Sequence, residues 1–135
     1  MADLSVTPAN VLPYAGAKIQ EGRAGEALTA GQAVYLHTDG KVHKADCSTL
    51  AKAAAVGVTL NGAAAGQPVS YAQAGGVNPG ATVAVGAVYG VTDTAGGIGP
   101  IGDRSTGDYI TILGVGVTTS RINLAINASG VAIPA

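Results

Sequence analysis

An uncharged stretch between Lys52 and Asp93 constrains the fold more than any other feature of the sequence. Gly, Pro, Asn and Gln interrupt its apolar runs well before the ~18 residues that a membrane-spanning helix needs. Apolar residues alternate with small or polar ones in three short runs, at 56–60, 69–72 and 82–85. Because a period of two is typical of strands with one buried face, the stretch predicts three strands at the centre of an all-β domain.

Turn signals divide the chain into short segments. Asn61-Gly62 and Asn78-Pro79-Gly80 separate the three central runs. Asp39-Gly40 lies between two alternating runs, 33–38 and 41–45, and therefore predicts a β-hairpin. Short strands joined by tight turns are expected along most of the chain.

Two further strands are predicted near the C-terminal end of the chain. Residues 121–127 alternate strictly, whereas the apolar residues of 109–117 change from even to odd positions, which indicates a β-bulge. The Gly-rich segment 92–108 predicts a surface loop. One helical turn is predicted within 46–53, with two candidate N-cap residues: Asp46 and Ser48.

The core must be built almost entirely from aliphatic side chains. The 135 residues include no Phe, no Trp and five Tyr, whereas Gly occurs 21 times. Aliphatic side chains suit a thin, tightly packed sheet structure, and abundant glycine favours turns and bulges over helices. The sequence therefore predicts a small single-domain β-sandwich or β-barrel, of β-tulip or jelly-roll type, with about seven to nine strands.

Residues 1–24 predict an extended N-terminal arm, which is followed by a β-domain over 25–135. Pro8 and Pro13 exclude a regular helix between them and favour extended backbone. An apolar arm either packs back on its own domain or contacts a neighbouring subunit. The apolar side chains of the arm are the candidate contact residues: Leu4, Val6, Val11, Leu12 and Tyr14.

Charged residues are scarce, at 11% of the chain, and the net charge is −1. The seven basic residues are scattered and no aromatic cluster accompanies them, which argues against a nucleic-acid partner. A weak net charge favours association with other proteins. Cys47 is the one cysteine and no secretory signal is recognisable, so we expect no internal disulfide and synthesis in a reducing cytoplasm.

No residue pattern predicts catalysis or a cofactor. Residues 97–102 match the spacing G-x-G-x-x-G, but 103–107 predict a loop instead of the helix that a dinucleotide site requires. A catalytic Cys47 would need an orienting group and an oxyanion hole, and neither has a local signature. The carboxylates form no obvious pair in an apolar strand. We therefore predict no catalytic residue, no cofactor and no enzymatic activity.

His37 and His43 flank the Asp39-Gly40 turn. A two-residue loop would pair residue 37 with residue 42 and place the two imidazoles on opposite faces of the hairpin. A three-residue loop over 39–41 would pair 37 with 43 and place them on one face. With the nearby Asp46 and Cys47 they could then form a metal site, although their spacing matches no standard zinc pattern. Solvated hairpin histidines are the simpler interpretation, so the sequence predicts no metal site.

The order of short segments along the chain is a further pattern. They read Gly-Glu-Ala-Leu-Thr-Ala-Gly-Gln-Ala-Val-Tyr at 25–35, Asp-Gly-Lys-Val at 39–42, Ala-Ala-Val-Gly-Val at 54–58, Asn-Gly-Ala-Ala-Ala-Gly-Gln-Pro-Val-Ser at 61–70, Gly-Ala-Thr-Val at 80–83, Val-Tyr at 88–89 and Ile-Thr-Ile-Leu-Gly-Val at 110–115. In this order they resemble the small capsid cement, or head decoration, proteins of tailed bacteriophages, over roughly residues 22–131.

The resemblance implies a β-rich structural protein of the virion, located on the capsid exterior and made in the cytoplasm of the bacterial host. Such a protein binds the outer surface of an assembled capsid and stabilises it at inter-capsomer contacts. Its partners would be the major capsid protein and copies of itself, as a homotrimer or, alternatively, a homodimer. The resemblance implies no cofactor and no catalysis, and it transfers no site residue to this chain.

An alternative function is a carbohydrate-binding or host-adhesion module on the virion surface. Exposed Asn, Thr and Tyr side chains on a β-sandwich can bind sugars, and four tyrosines are the stacking candidates: Tyr35, Tyr71, Tyr89 and Tyr109. The competing interpretation is that these tyrosines lie at the edge of the core.

Overall fold

The protein forms one curled antiparallel sheet shaped as a half-barrel, which confirms the all-β prediction. The structure, a computed structural model, describes residues 4–101 and 107–132. Within these ranges, no helix is long and apolar enough to cross a membrane. They contain a 3₁₀ turn at Pro8–Asn10, one helix and ten strands: β1 (Val11–Pro13), β2 (Lys18–Arg23), β3 (Ala33–Leu36), β4 (Val42–Lys44), α1 (Leu50–Ala53), β5 (Ala55–Thr59), β6 (Pro68–Pro79), β7 (Val88–Val91), β8 (Ile98–Pro100), β9 (Tyr109–Thr118) and β10 (Arg121–Ala132).

Strand β6 organises the sheet, because four other strands pair with it. The strand order is β4-β3-β5-β6-β10-β9-β7-β8, and β1 and β2 pair with β6 in addition. The first half of β6 pairs with β2 and β5, whereas its second half pairs with β1 and β10. The uncharged stretch therefore supplies the central strand of the sheet, as predicted.

Gly75 lies where the neighbours of β6 change. Its φ of +88° is a conformation that residues with side chains rarely adopt, and an added Cβ would lie 2.8 Å from Ala17 Cα. Before this point β6 pairs with β2 as far as Ala74, and after it β1 begins to pair at Val77. Glycine at this position lets the strand bend enough to take part in both halves of the curled sheet.

Two apolar clusters lie on opposite faces of the sheet at β3. Ala33 and Tyr35 belong to the larger cluster, and Val34 between them belongs to the smaller one. Because successive side chains of a strand point to opposite faces, this part of β3 is buried on both sides. The larger cluster also contains Leu113 and Ile122 from β9 and β10. Aliphatic side chains and tyrosine fill both clusters, as the composition predicts.

The segment that follows β7 brings the two edges of the curled sheet together. Gly96 N–H donates to Ala45 O at 2.8 Å, and Ala33 N–H donates to Gly96 O at 3.0 Å. Cys47 N–H donates to Thr92 O at 2.9 Å. Main-chain hydrogen bonds thus connect the β3–β4 edge with the loop between β7 and β8, and they help to close the half-barrel.

Strand β8 lies within the segment that the sequence predicts to be a loop. It pairs with β7 from Ile98 to Pro100, so the prediction of a loop throughout 92–108 is wrong for these residues. The strand was missed because glycine and proline, which are depleted in strands, make up most of it. Residues 102–106 of the predicted loop lie outside the described residues.

The predicted helical turn forms, but with a different cap. Helix α1 begins after Thr49, whose Oγ1 accepts from Lys52 N–H at 3.3 Å. Thr49 is therefore the N-cap, and the prediction of Asp46 or Ser48 is wrong. Asp46 instead accepts from Ser48 N–H at 2.9 Å, which makes a separate turn just before the helix.

Of the three predicted central strands, β5 and β6 are confirmed and the third is wrong. The strand that pairs with β9 begins only at Val88. Of residues 82–85 only Val83 is buried, and its N–H donates to Thr119 O at 2.8 Å, so the segment lies against the sheet as a loop. The alternation of residue types here does not correspond to an alternation of buried and exposed positions.

Residues 4–24 pack on the rest of the same chain. Strand β1 pairs with the end of β6, and the exposed strand β2 pairs with β6 from Lys18 to Arg23. Leu4 N–H donates to Ile98 O at 2.8 Å. The structure thus contains one of the two arrangements considered for the arm, and contact with a neighbouring subunit stays a prediction.

Candidate functional site

The five predicted contact residues of the arm differ in how much surface they present. Val11 is buried, at 6% exposure, whereas the next residue, Leu12, is 58% exposed. Leu4 and Val6 are half-buried, and Leu4 packs against the larger apolar cluster. Among these residues, Leu12 therefore offers the most side-chain surface to a partner.

Tyr14 fastens the arm to the start of β10. Its hydroxyl donates to Ser120 O at 3.3 Å, and the Arg121 guanidinium lies 5.0 Å from the centre of its ring. A cation over the face of a tyrosine is an attractive arrangement. Tyr14 thus helps to hold the arm on its own chain, and its role in contacting a neighbour stays a prediction.

Four valines form an apolar surface on β7, on β9 and on the loop before β7, and we call them the valine patch: Val85, Val88, Val115 and Val117. Val115 pairs with Val88, and Val117 lies two residues further along the same face. Gly86 N–H donates to Gly116 O at 2.7 Å, which holds Val85 beside β9. Val85, Val117 and Val115 are 66%, 45% and 40% exposed. Neither β7 nor β9 contains a charged residue.

A β-bulge at Leu113 turns these valines outward. Tyr89 pairs with Gly114 and Gly90 pairs with Ile112, so Leu113 is the extra residue of β9. Leu113 is fully buried, and beyond it the glycines of β9 are buried while the valines are exposed. The predicted bulge is confirmed, but the exposed row of valines that results from it was not predicted.

Three of the four tyrosines considered for sugar stacking are buried. Tyr35, Tyr71 and Tyr89 belong to the two apolar clusters, and the Tyr89 hydroxyl accepts from Ala84 N–H at 2.8 Å. Tyr109 is half-buried. The first three rings therefore form part of the core and are not available to stack on a sugar.

Two open clefts lie beside the arm. The larger, of about 540 Å³, is lined in part by Leu12, Asn78 and Ser120, and the smaller, of about 290 Å³, in part by Val6 and Gln32. Among the described residues, neither lining includes a titratable side chain. Hydroxyl, amide and apolar side chains line both clefts.

A second group of side chains gathers at the β3–β4 hairpin, and we call it the hairpin cluster: Glu26, His37, Asp39 and His43. Tyr35 pairs with His43 across the hairpin, and His37 lies two residues beyond Tyr35 on the same face. The centres of the two imidazole rings are 4.8 Å apart. The hairpin therefore places both histidines on one face.

The loop that joins β3 to β4 sets this arrangement. His37 N–H donates to Lys41 O at 2.9 Å, and Gly40 N–H donates to His37 O at 3.0 Å. Gly40 has a φ of +80°, as the last residue of a tight three-residue loop requires. His37 is thus opposite Lys41, a register that differs from both loops considered from the sequence but still brings the imidazoles together.

Asp39 closes the hairpin cluster from the turn. Its Oδ1 accepts from Lys41 N–H at 2.8 Å, and its Oδ2 lies 3.0 Å from His43 Nε2. The Asp39 Oδ1 atom also lies 3.6 Å from His37 Nδ1. One donor atom from each of His37, Asp39 and His43 consequently lies within 4.8 Å of the other two.

Glu26 and Gly25 support His43 from a neighbouring segment. Glu26 Oε2 accepts from Lys44 N–H at 3.0 Å and lies 3.5 Å from His43 Nδ1. Gly25 N–H donates to Val42 O at 2.8 Å, and the His43 ring occupies the space that a Cβ on Gly25 would need. His43 therefore has a carboxylate beside each ring nitrogen and glycine backbone against its ring.

Two residues that the sequence placed near the histidines do not join them. Cys47 is fully buried in the larger apolar cluster, and the Asp46 carboxylate accepts a hydrogen bond from Ser48 N–H. Glu26 was missed, because its contact depends on how residues 24–26 fold alongside β4 and no local pattern signals that. Period-two alternation from Tyr35 onward could have identified the face that His37 occupies.

Two pKa values near the hairpin are shifted. The Lys41 backbone N–H, and then the His43 side chain, lower the pKa of Asp39 below its ordinary value. Burial, reinforced by repulsion from Glu26 and other nearby carboxylates, raises the pKa of Tyr35. Asp39 is therefore ionised at neutral pH and can act as a ligand or as a partner for a cation.

The sequence matches no family model. A search of curated proteins also found no match to it. The function of the chain is therefore inferred from the valine patch, the arm and the hairpin cluster themselves.

Proposed function

We propose that this protein is a structural component of a tailed-phage virion. It binds the outer surface of the assembled capsid and stabilises the shell at inter-capsomer contacts. Its partners are the major capsid protein and further copies of itself, with a homotrimer favoured over a homodimer. The protein is made in the cytoplasm of the bacterial host and acts on the capsid exterior without a catalytic step.

The valine patch is the observation that carries this proposal. Single exposed apolar residues are normal, but clustered ones are typical of surfaces that a partner covers. Here two exposed valines of β9 lie together with the exposed Val85 of the preceding loop, and neither strand of the patch nor this loop contains a charged residue. Such a surface can be buried against a shell without leaving a charge unpaired, which would cost several kcal/mol.

A contact of modest size is sufficient in this role, because a capsid repeats it many times. Each buried Å² of apolar surface contributes about 25 cal/mol, and one small patch alone would bind weakly. Copies that also contact each other are held at a high effective concentration over the shell. Separation of two capsomers then requires several of these contacts to break together.

Leu12 supplies a second contact in this proposal. It is the most exposed of the predicted arm residues, and it borders the larger cleft, where hydroxyl and amide side chains can hydrogen-bond to a partner. Val11 faces the interior next to it. The outward side of the arm is therefore proposed as an interface, and its inward side holds the arm on the domain.

Carbohydrate binding or host adhesion on the virion surface is the alternative role. Burial of Tyr35, Tyr71 and Tyr89 leaves Tyr109 as the one partly exposed ring among the four tyrosines considered. Sugar recognition would then depend on hydroxyl and amide groups with little stacking. A glycan array without hits removes this role.

Co-sedimentation with expanded phage heads that lack the protein tests the proposal. Wild type should bind saturably, at a fixed ratio to the major capsid protein, and the loaded heads should resist heating better. Val115→Lys combined with Val117→Lys should reduce the affinity at least tenfold, which is about 1.4 kcal/mol, because two charges would be buried. Ala64→Lys combined with Ala65→Lys adds the same two charges in the exposed segment before β6 and should bind as wild type does.

Two outcomes would contradict the proposal. Equal binding by wild type and the double lysine variant would show that the valine patch lies outside the interface. The absence of wild-type binding to any candidate head, together with a monodisperse monomer in solution, would remove the capsid role itself.

A further inference from the structure

The hairpin cluster is a second site, and its chemistry is independent of capsid binding. We propose that it binds a zinc ion, with His37, Asp39 and His43 as ligands and Glu26 as a positioning residue. A fourth coordination position is left to solvent. The donor set, the distances between the donors and the carboxylate behind His43 together support this site.

Two imidazole nitrogens and one carboxylate oxygen form a common donor set for zinc. Bonds from zinc to such donors measure about 2.0–2.2 Å, so tetrahedral ligands lie roughly 3.3 Å apart. His43 Nε2 and Asp39 Oδ2 are 3.0 Å apart, and the donors of all three residues lie within 4.8 Å of one another. His37 Nδ1 already lies 3.6 Å from Asp39 Oδ1, and the His37 side chain is exposed and therefore able to rotate.

The two carboxylates around His43 favour a cation at this position. Glu26 Oε2 lies 3.5 Å from Nδ1, and Asp39 Oδ2 lies 3.0 Å from Nε2. A metal ion bound by Nε2 and the Asp39 carboxylate would place a positive charge among these acidic groups.

The position of His37 suits a metal ion. Its ring lies 4.8 Å from the His43 ring and supplies a further ligand. The order carboxylate, histidine, metal is also the usual arrangement around zinc-binding histidines, where the outer carboxylate fixes the tautomer and the ring orientation. Glu26 occupies that outer position.

The backbone holds the donors in place before an ion binds. The Lys41 N–H fixes Asp39, and the Lys44 N–H fixes Glu26. The His43 ring lies against the backbone of Gly25, where a side chain would displace it. Because the cost of ordering these groups has been met on folding, more of the ligand bond energy contributes to affinity.

The donor set also determines which ion binds. Imidazole suits zinc and other late first-row metals, whereas magnesium and calcium prefer sites made of oxygen ligands. The ion would join the hairpin turn, through Asp39, to strand β4, through His43. Glu26 would hold His43 from the neighbouring segment. It should stabilise the folded state, since only that state brings the three donors together.

Isothermal titration of the full chain, purified without a polyhistidine tag, tests the proposal. Zinc should bind at one saturable site per chain, and magnesium should not. His37→Ala combined with His43→Ala should abolish saturable binding, and Glu26→Gln should lower the affinity about 10- to 100-fold. Glu21→Gln changes an exposed carboxylate on β2 and should leave the affinity unchanged.

Two further measurements test directly whether a metal ion is bound. Cobalt(II) bound in place of zinc should give the visible absorption of a four-coordinate site, and the histidine variants should lose it. Zinc at one hundred times its Kd should raise the midpoint of thermal unfolding by roughly 8 °C, and a chelator should reverse this. Circular dichroism verifies that each variant is folded, which is expected because all the replaced side chains are at least partly exposed.

The proposal is overturned if wild type shows no saturable zinc binding, or if the double histidine variant binds zinc as tightly as wild type. It is also overturned if magnesium competes equally with zinc. None of these three results would bear on capsid binding, because the valine patch shares no residue with the hairpin cluster.

Discussion

The valine patch and the hairpin cluster belong to the same curled sheet but differ in charge and in the chemistry of their side chains. The patch lies on two strands and the loop before one of them, and none of the three contains a charged residue. The cluster gathers two imidazoles and two carboxylates in a chain of which charged residues make up only 11%. The first suits a broad contact from which water is excluded, and the second suits one small cation.

Each surface nevertheless depends on a local feature that sets the register of its strands, a bulge in one case and a loop length in the other. The extra residue Leu113 changes the parity of β9, so that Val115 and Val117 face solvent. The three-residue loop ending at Gly40 sets the register that puts His37 and His43 on one face. In a sheet, where side chains alternate between faces, a shift of one residue decides which groups meet a partner.

Leu113→Ala should have the largest effect on stability, because it removes the fully buried side chain at the bulge. We expect a loss of about 3 kcal/mol in the free energy of unfolding, from lost burial and the cavity left behind. Urea denaturation measures this value. Ile112→Ala, at the half-buried neighbouring position, is the matched control and should cost clearly less. A loss below about 1 kcal/mol for Leu113→Ala would mean that this side chain does not anchor the bulge.

The neighbouring residues Val11 and Leu12 separate stability from binding within the arm. Val11→Ala should cost about 2 kcal/mol of unfolding free energy and leave capsid occupancy unchanged in the folded fraction. Leu12→Ser should change stability little and should reduce capsid occupancy. Deletion of residues 1–14 cannot make this distinction, since it would also uncover part of β6. Unchanged occupancy with Leu12→Ser would leave the valine patch as the sole contact.

Gly25→Ala tests the other side of the comparison. The new Cβ would collide with the His43 ring, so we expect a loss of about 1 kcal/mol in stability and a loss of at least tenfold in zinc affinity. Capsid occupancy should stay at the wild-type level. Gly62→Ala is the matched control, because a Cβ there would lie 3.5 Å from Leu28 O, in ordinary contact. Equal zinc affinities of the two variants would show that Gly25 does not position His43.

Much of the fold could be predicted from alternation and turn residues. The central position of the strand at 69–72, the hairpin around Asp39-Gly40 and the bulge in β9 all follow from local patterns, and all are confirmed, although the central strand extends over Pro68–Pro79. Strand β8 could not be predicted, because its pairing with β7 overrides the low strand propensity of glycine and proline. The false strand at 82–85 arose because its residue types alternate although only Val83 among them is buried.

The candidate sites were less predictable, because each depends on contacts between distant segments. The sequence indicates a bulge in β9 but not which side of it faces solvent, and that depends on the pairing of β9 with β7. The histidines were recognised as a pair, but their loop register and the approach of Glu26 were not. A contact across 17 residues, such as that between Glu26 and His43, leaves no periodic trace in the sequence.

The smallest expected effect concerns the buried tyrosines Tyr71 and Tyr35, of which only Tyr35 lies near the carboxylates of the hairpin region. Burial alone raises the pKa of Tyr71, whereas burial and then carboxylates of the hairpin region raise the pKa of Tyr35. A pKa that is higher in the folded state than in the unfolded state means that the folded state holds its proton longer. The stability linked to Tyr71 is therefore complete below its unfolded pKa, about 10, and is lost as the pH rises from there through the folded pKa. Tyr71→Phe removes this contribution, so wild type should lose more stability than the variant between about pH 10 and 11. Urea denaturation at a series of pH values measures the difference, and parallel curves for the two proteins would show that the Tyr71 pKa is the same in the folded and unfolded states.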